Sequence, residues 1–332
     1  MARSAFLDPR RLDRRAALAS VSVAAILIVA KLATWLITDS VAILSSLVDS
    51  CIDALASLVT LVSVHHAARP ADPAHRYGHG KAEPMAALLI AAFLAGSALV
   101  VAVEAVARLL VRPQPVAFGE LGIAVMLGAI VLTGGLVLFQ RYVVRRTGSI
   151  AIGADQVHYL TDLATNLVVI AALALTLATG WPYFDPLFAC AIVAMLLWGA
   201  AGIGRRAIDM LMDRELPEAE RARILHLARD HPHTQGVHDL RTRRAGRDVF
   251  IELHLELDPN LPLARAHDIT HEVEDAIRSA FPSADVLLHQ EPAGLDDERR
   301  DALIAAAERW PAPATPPRAA PPSPRGGEGS GR

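Results

Sequence analysis

The chain has 332 residues, of which 53% are hydrophobic and only 5% aromatic, and its mean hydropathy is +0.34. This composition is unusual for a soluble globular protein and points to an integral membrane protein in a lipid bilayer. The formal net charge of -3, with no basic patch interleaved with aromatic residues, excludes a nucleic-acid-binding function.

The N-terminal segment, residues 1–15, places Arg10, Arg11, Arg14 and Arg15 ahead of a long apolar stretch and lacks a convincing cleavage site. We therefore interpret it as a retained cytoplasmic segment and not as a signal peptide. A membrane-spanning helix needs about 20 mostly apolar residues. Six stretches meet this requirement and predict a transmembrane domain over residues 16–211: 16–37, 41–64, 84–111, 119–141, 151–178 and 184–208.

The distribution of Lys and Arg predicts the orientation of these six helices. Nearly all cations near the helix ends fall on one side, and the opposite loops are almost free of them apart from Arg112. Because cytoplasmic loops carry the excess of positive charge, we expect both termini in the cytoplasm.

The second and fifth spans each carry two ionisable residues four positions apart: Asp49 with Asp53, and His158 with Asp162. Positions i and i+4 share one face of a helix, so the two pairs can converge. A charged group in the bilayer centre costs about 2.5–3.5 kcal/mol even on the lenient insertion scale, so these groups need a partner. A divalent cation is the economical partner, and a nitrogen with carboxylate oxygens suits Zn²⁺.

Other interpretations of single residues remain open. A lone buried Asp can hydrogen-bond to a neighbouring serine, and the second span offers Ser46, Ser50 and Ser57. Lys31 in the first span can snorkel or pair with a carboxylate, and we assign it no role. Asp155 and Asn166 extend the polar face of the fifth span, where they either line a water path or solvate it.

The loop after the second span carries Asp72, His75 and His79. Gly78 and Gly80 argue against a firm helix there, so we expect a loop. From the spacing alone, a metal site and an ordinary solvated loop are about equally plausible.

After residue 211 the pattern changes to that of a small soluble domain, residues 212–292. A helix beginning near Pro217 precedes two alternating strands that form a hairpin around Ala245 and Gly246, and then a second helix and a third strand. The order αββαβ predicts an α+β fold with both helices on one face of the sheet. The tail, residues 293–332, ends rich in Pro, Gly and Ser, and we predict it to be disordered.

The motifs "LVDSCIDALASL", "HYLTD" and "PADPAHRYGHGKAEPMAAL" resemble those of the cation diffusion facilitator family, particularly its bacterial ferrous-iron and zinc efflux members. The resemblance covers about residues 12–292. It implies a homodimer in the bacterial inner (plasma) membrane that exchanges cytoplasmic metal for protons. It also implies a transport site built by Asp49, Asp53, His158 and Asp162, and a second metal site at Asp72, His75 and His79.

The resemblance extends to the last domain, which is similar to the family's metallochaperone-like domain. It implies a binuclear zinc site at His238, His254, His267, His289 and Glu291. By counting alone, each of these histidines is an ordinary surface or core residue. The family has Asp where this chain has Glu291, and the longer side chain leaves open whether the site holds one ion or two.

We therefore expect a divalent cation efflux transporter and not an enzyme, with Zn²⁺ as the leading ion for transport and regulation, followed by Fe²⁺, Cd²⁺ and Co²⁺. The alternative is a metal-responsive membrane scaffold or sensor whose membrane site is structural, although the chain has no recognisable partner motif. A proton channel is a third possibility, but it gives no reason for a site made of one His and three Asp.

Overall fold

The computed structural model describes residues 9–39, 41–110, 120–180 and 184–294. The first eight residues, Arg112 and nearly all of the predicted tail lie outside the described residues. Within the described parts, the first six elements are long helices and the remainder forms a small mixed domain.

Within the described residues, each predicted membrane span lies on a helix: α1 (Pro9–Thr38), α2 (Val41–Ala67), α3 (Ala82–Leu110), α4 (Glu120–Thr147), α5 (Ile150–Thr179) and α6 (Phe184–Leu211). All six helices except α5 contain a described stretch long and apolar enough to cross a membrane. The first half of α5 carries Asp155, His158 and Asp162. The helices exceed the predicted spans, mainly at the polar ends, because a helix can continue past the apolar core of a bilayer.

Small residues allow the helices to approach closely. Helices α3 and α6 pack through a buried cluster that also includes Ala154 of α5: Ala87, Ile90, Ala91, Leu94, Ala98, Ile192, Leu196, Ala200, Ile203 and Ala207. Such small-residue interfaces are typical of membrane helices, whose association depends on van der Waals packing. Large apolar side chains point outward, with Trp198 and Val131 82% and 76% exposed, as expected for a surface in contact with lipid.

The last domain has the predicted order of elements: α7 (Glu218–Arg229), β1 (Gly236–Ala245), β2 (Asp248–Leu257), α8 (Leu263–Ala280) and β3 (Ala284–Pro292). The sheet order is β1-β2-β3, with β1 antiparallel to β2 and β2 parallel to β3. Helices α7 and α8 pack against the sheet in one core that includes Ile224, Ile251, Leu253, Leu255, Ile269 and Ile277.

Alternation along the strands gives the sheet a second, less buried face. On β2 the residues between Ile251, Leu253, Leu255 and Leu257 are only partly buried, and they are Glu252, His254 and Glu256. The pairing of β1 with β2 shifts between His238 and Arg241, where Asp239 takes a positive φ of 52°. This β-bulge changes the direction of the side chains at the start of β1, as bulges commonly do.

The loop between α2 and α3 packs against the β1–β2 hairpin. The Tyr77 and Phe250 rings lie 5.5 Å apart, and the Arg243 guanidinium lies over both rings. Lys81 pairs with Asp213 at 2.9 Å. At the hairpin turn, Arg247 pairs at 3.1 Å with Asp13 of α1, whose side chain is only 2% exposed. The soluble domain is thereby attached to the membrane domain through ion pairs, an edge-to-face ring contact and cation–π contacts.

Gly80 lies directly against the hairpin, and this contact generates a prediction. A Cβ at Gly80 would lie 2.0 Å from the carbonyl oxygen of Ala245, which is backbone and cannot rotate away. We expect Gly80→Ala to separate the loop from the hairpin and to destabilise the protein by about 1–3 kcal/mol, the usual cost of overpacking. Thermal unfolding of the detergent-solubilised protein measures this as a lower Tm.

The matched control is Gly96→Ala on α3, because a Cβ at Gly96 meets no atom within 4 Å. Its Tm should equal or slightly exceed that of the wild type, since Ala is the better helix former. Equal Tm values for Gly80→Ala and the wild type would contradict the close contact between loop and hairpin.

Candidate metal centres

The paired residues of α2 and α5 meet inside the helix bundle. The Nε2 atom of His158 lies 3.0 Å from Oδ1 of Asp53 and 3.7 Å from Oδ2 of Asp162. One ligand atom from each residue lies within 4.8 Å of the others. We refer to Asp53, His158 and Asp162 as the bundle cluster. His158 is almost fully buried, at 3% exposed, so the cluster joins two carboxylates and one imidazole in apolar surroundings.

Asp49, the fourth predicted ligand, lies one helical turn from Asp53 and is exposed. Among the described residues, it is not part of the group whose ligand atoms lie within 4.8 Å of one another. Lys31 of α1 is close by: its Nζ donates to the backbone oxygen of Ser46 at 3.0 Å and to Oγ of Ser50 at 2.7 Å. Its positive charge is attracted by Asp49, Asp53 and Asp162.

Two buried atoms of the bundle cluster have no hydrogen-bond partner: Oδ2 of Asp162 and Nδ1 of His158. An unsatisfied buried polar atom costs about 1–3 kcal/mol, so each of these atoms requires an explanation. A cation held between the carboxylates and the imidazole would satisfy the Asp162 oxygen. The donor set therefore fits a divalent metal.

Asp155 provides a contrast one turn away on α5. It is fully buried and accepts hydrogen bonds from Ser20 at 2.6 Å, Gln140 at 2.7 Å and Ser57 at 3.4 Å. Ser57 also hydrogen-bonds the hydroxyl of Tyr159 at 2.8 Å. The protein's own donors satisfy this carboxylate, so Asp155 ties α1, α2, α4 and α5 together without needing an ion. Of the two sequence-based interpretations, this geometry favours local solvation over a water path.

The loop residues Asp72, His75 and His79, the loop cluster, also come together. Nδ1 of His75 and Nε2 of His79 lie 3.2 and 3.3 Å from the two oxygens of Asp72. The backbone N–H of His75 donates to Asp72 and, together with that of Ala74, holds the pKa of this carboxyl below its usual range. Asp72 is therefore ionised at neutral pH, as a metal ligand must be.

The open face of the sheet gathers three histidines from three strands, with His238 paired to His254 and His254 to His289. Oε1 of Glu291 lies 2.5 Å from His254 and 3.5 Å from His289, and Oε2 lies 3.4 Å from His238. We refer to His238, His254, His289 and Glu291 as the sheet cluster. The longer side chain of Glu291 thus reaches all three imidazoles.

Among the described residues, His267 is in none of the groups whose ligand atoms lie within 4.8 Å of one another. It is on α8, where its ring is 4.4 Å from that of His271. Two further acids border the sheet cluster and were missed in the sequence: Asp239 at the bulge, and Glu256, whose Oε1 lies 3.0 Å from Nδ1 of His238. The signal for Glu256 was available, because residues i and i+2 of a strand share a face and Glu256 follows His254 by two positions.

Comparison with known proteins shows which family has this architecture. Residues 17–212 match the family described as "Cation efflux transmembrane domain", and residues 216–293 match "Cation efflux protein, cytoplasmic domain". The chain belongs to the cation diffusion facilitator family. The "Cation-efflux pump FieF" of Klebsiella pneumoniae subsp. pneumoniae is 44% identical over 285 residues, which is 86% of this chain and 94% of the relative. The protein of that name from Cronobacter sakazakii is 45% identical over 288 residues, 87% and 95% of the two chains.

Solved structures similar to this facilitator cover its soluble domain. A structure of CzrB in a zinc form is 38% identical and covers 26% of this chain and 100% of its own, with a TM-score of 0.25. A cadmium form of a MamM CTD variant is 29% identical and covers 23% of this chain and 95% of its own, with a TM-score of 0.22.

The Ser57–Tyr159 hydrogen bond next to the bundle cluster generates a second prediction. Ser57→Ala leaves the buried Tyr159 hydroxyl without this partner and removes one donor to Asp155, so we expect destabilisation by about 1 kcal/mol. Tyr159→Phe should cost a similar amount. Because either change removes the same bond, the double variant should be less destabilised than the sum of the single variants, and thermal unfolding measures this difference.

Strict additivity of the two changes would contradict coupling between these residues. Thr60→Ala on the same helix is the control, since in the described part of the chain its hydroxyl bonds within α2, to the carbonyl of Ala56 at 3.2 Å. Combined with Tyr159→Phe, this change should give additive losses of stability.

Proposed function

We propose that this facilitator exports divalent metal cations from the cytoplasm in exchange for protons. The observation that carries the proposal is the bundle cluster, in which two carboxylates and an imidazole from two helices meet in an apolar bundle with an unsatisfied Asp162 oxygen. Membership of the family and the efflux named for the bacterial relatives support transport over an enzymatic activity.

The donor set limits which ions fit. One imidazole nitrogen with carboxylate oxygens suits Zn²⁺, which accepts four-coordinate sites of mixed N and O ligands. Ca²⁺ prefers more oxygen ligands, and Mg²⁺ retains its water. The bundle cluster contains no thiolate, which disfavours Cu⁺. Zn²⁺ is therefore the leading ion, Fe²⁺, Cd²⁺ and Co²⁺ follow, and Mn²⁺ ranks behind them.

Proton exchange follows from ligand chemistry. Carboxylates and imidazoles bind a metal only when deprotonated, so metal and protons compete for the same atoms. When the metal leaves, two carboxylates remain close together in apolar surroundings, and proton uptake relieves their repulsion. Asp49, one turn away, is positioned to join the cluster as its fourth ligand in another conformation of α2.

The proposed orientation in the membrane and the proposed assembly rest on the charge pattern of the sequence and on the relatives. The bias of Lys and Arg supports cytoplasmic termini, and the bacterial relatives support residence in the inner membrane as a homodimer. The loop cluster and the sheet cluster would then face the cytoplasm, where each can bind metal in a regulatory role. Because the loop packs on the hairpin of the soluble domain, metal at one cluster can influence the other.

Proteoliposomes test the proposal. Zn²⁺ entry and luminal pH are followed together for wild type, Asp53→Asn and His158→Ala, with and without an imposed pH gradient. We expect Zn²⁺ flux with opposing proton movement in the wild type and loss of flux in both variants, because Asp53→Asn removes the negative charge of one ligand and His158→Ala removes the imidazole ligand. Asp39→Asn is the matched control: Asp39 lies at the end of α1 with a φ of 49°, which Asn tolerates.

Each outcome bears on a different part of the proposal. Zn²⁺ flux without proton movement would contradict the exchange but keep the efflux. The absence of flux for Zn²⁺, Fe²⁺, Cd²⁺, Co²⁺ and Mn²⁺ would contradict transport and favour the scaffold. Proton movement without any metal would favour a channel.

A further inference from the structure

We propose that Lys31 of α1 is a charge-balancing residue of metal transport. Its ammonium group cancels one of the three negative charges carried by Asp49, Asp53 and Asp162, so that one divalent cation neutralises the other two. This inference rests on the proposed transport at the bundle cluster, and it gives a role to a side chain that is not itself a metal ligand.

The first observation is where the amino group of Lys31 is held. Lysines of membrane helices often extend toward the membrane surface. The Nζ atom of Lys31 instead donates to the backbone oxygen of Ser46 at 3.0 Å and to Oγ of Ser50 at 2.7 Å. Ser50 is buried, at 1% exposed, and lies one position from Asp49 and three from Asp53 on α2. Hydrogen bonds therefore hold the cation against the helix that carries two of the predicted metal ligands.

The second observation is the charge around this amino group. The strongest attractions on its positive charge come, in order, from Asp53, Asp49 and Asp162. Asp155 is not among them, and it has the hydroxyl of Ser20 and the amide of Gln140 as its own donors. The ammonium group therefore acts on the same carboxylates that are proposed to hold the ion.

The charge of the loaded site explains why one ammonium group fits. Ligands bind metal in their deprotonated forms, so the three carboxylates are negative and the imidazole is neutral. Net charge inside an apolar bundle is costly. With the ammonium present, a site that holds one divalent cation is neutral, whereas without it the same site keeps one negative charge. Lys31 thus matches the charge of the site to that of the ion.

The ammonium group also affects how firmly the ion is held. Without it the carboxylates attract the ion more strongly, so the ion would bind more tightly and leave more slowly. Because the ammonium is covalently attached to α1, it stays as a counter-charge after the ion has left. Removing one partner from a buried group of charges leaves the others uncompensated. Lys31 therefore stabilises the metal-free protein and weakens its hold on the metal.

A purely structural role is the competing explanation, in which Lys31 only ties α1 to α2 through Ser46 and Ser50. Three variants separate the two roles. Lys31→Gln keeps hydrogen-bond donors but removes the charge, and Lys31→Arg keeps the charge. Ser50→Ala removes one hydrogen bond of the ammonium group and no charge.

Thermal unfolding of the full-length protein in detergent with a chelator tests the metal-free state. We expect Lys31→Gln to lower the Tm and Lys31→Arg to lower it less. The double variant of Lys31→Gln with Asp53→Asn should be less destabilised than the sum of the single variants, because neutralising a carboxylate removes uncompensated charge. Ser50→Ala is the matched control, and its combination with Asp53→Asn should give additive changes.

Zn²⁺ flux into proteoliposomes tests the effect on the ion. At pH 8 protons compete less for the ligands than at neutral pH. There Lys31→Gln should lower both the KM and the kcat for Zn²⁺ by about tenfold, because the ion binds more tightly and leaves more slowly. Lys31→Arg should behave like the wild type, and Ser50→Ala should keep the wild-type KM.

Several results would overturn the inference. One is additive changes in Tm for Lys31→Gln and Asp53→Asn, and another is a lower kcat with an unchanged KM, which would indicate that Lys31 only ties two helices together. If Lys31→Gln does not fold by itself, the double variant with Asp53→Asn should fold, and failure of both would contradict the charge balance.

The failure of the proposed function can be distinguished from the failure of this inference. The Tm measurements need no transport, so the absence of Zn²⁺ flux in the wild type would contradict the proposed efflux. Coupling between Lys31 and Asp53 in the metal-free protein would still support the charge balance, and additivity would contradict it.

Discussion

Uncompensated charge in an apolar bundle is the constraint on which the rest of this structure depends. Asp155 and Asp162 lie two turns apart on α5, yet the hydrogen-bond donors around the two carboxylates differ. Asp155 is enclosed by Ser20, Ser57 and Gln140, which satisfy its carboxylate, whereas Asp162 keeps a buried oxygen without a donor. The first arrangement stabilises the packing of four helices, and the second leaves an oxygen atom that the proposed ion would satisfy. The cost of a charge in the membrane makes both arrangements necessary.

The same contrast recurs outside the membrane. On the open face of the sheet, Glu252 is neutralised by Arg241, whereas Glu291 is surrounded by imidazoles. Imidazoles neutralise a carboxylate only when protonated, whereas the proposed metal ion would carry positive charge in every protonation state of the histidines. The open face therefore holds charge that the proposed metal binding would change, while the opposite face, with Ile251 and Leu253, is a permanent apolar core.

Contacts between the loop and the hairpin link these regions. Gly80 and Gly246 allow two backbones to touch, and Arg243 stacks on Tyr77 and Phe250 across the boundary. The loop cluster lies immediately before this contact in the chain, with His79 next to Gly80. A change in the loop on metal binding would therefore act directly on the soluble domain, which gives the proposed regulation a physical route.

The sequence by itself determined the membrane spans, the αββαβ order and most of the clustered residues, because apolar length, strand alternation and i,i+4 spacing are local properties. Which of these residues meet was decided by the tertiary structure. Spacing treats Asp49 and Asp53 alike, but only the packing of α2 on α5 brings Asp53 to His158. Likewise, pairing of β1, β2 and β3 brings Glu256 beside His238 and leaves His267 on α8. These outcomes depend on register and helix rotation, which the chain fixes only when distant segments pack.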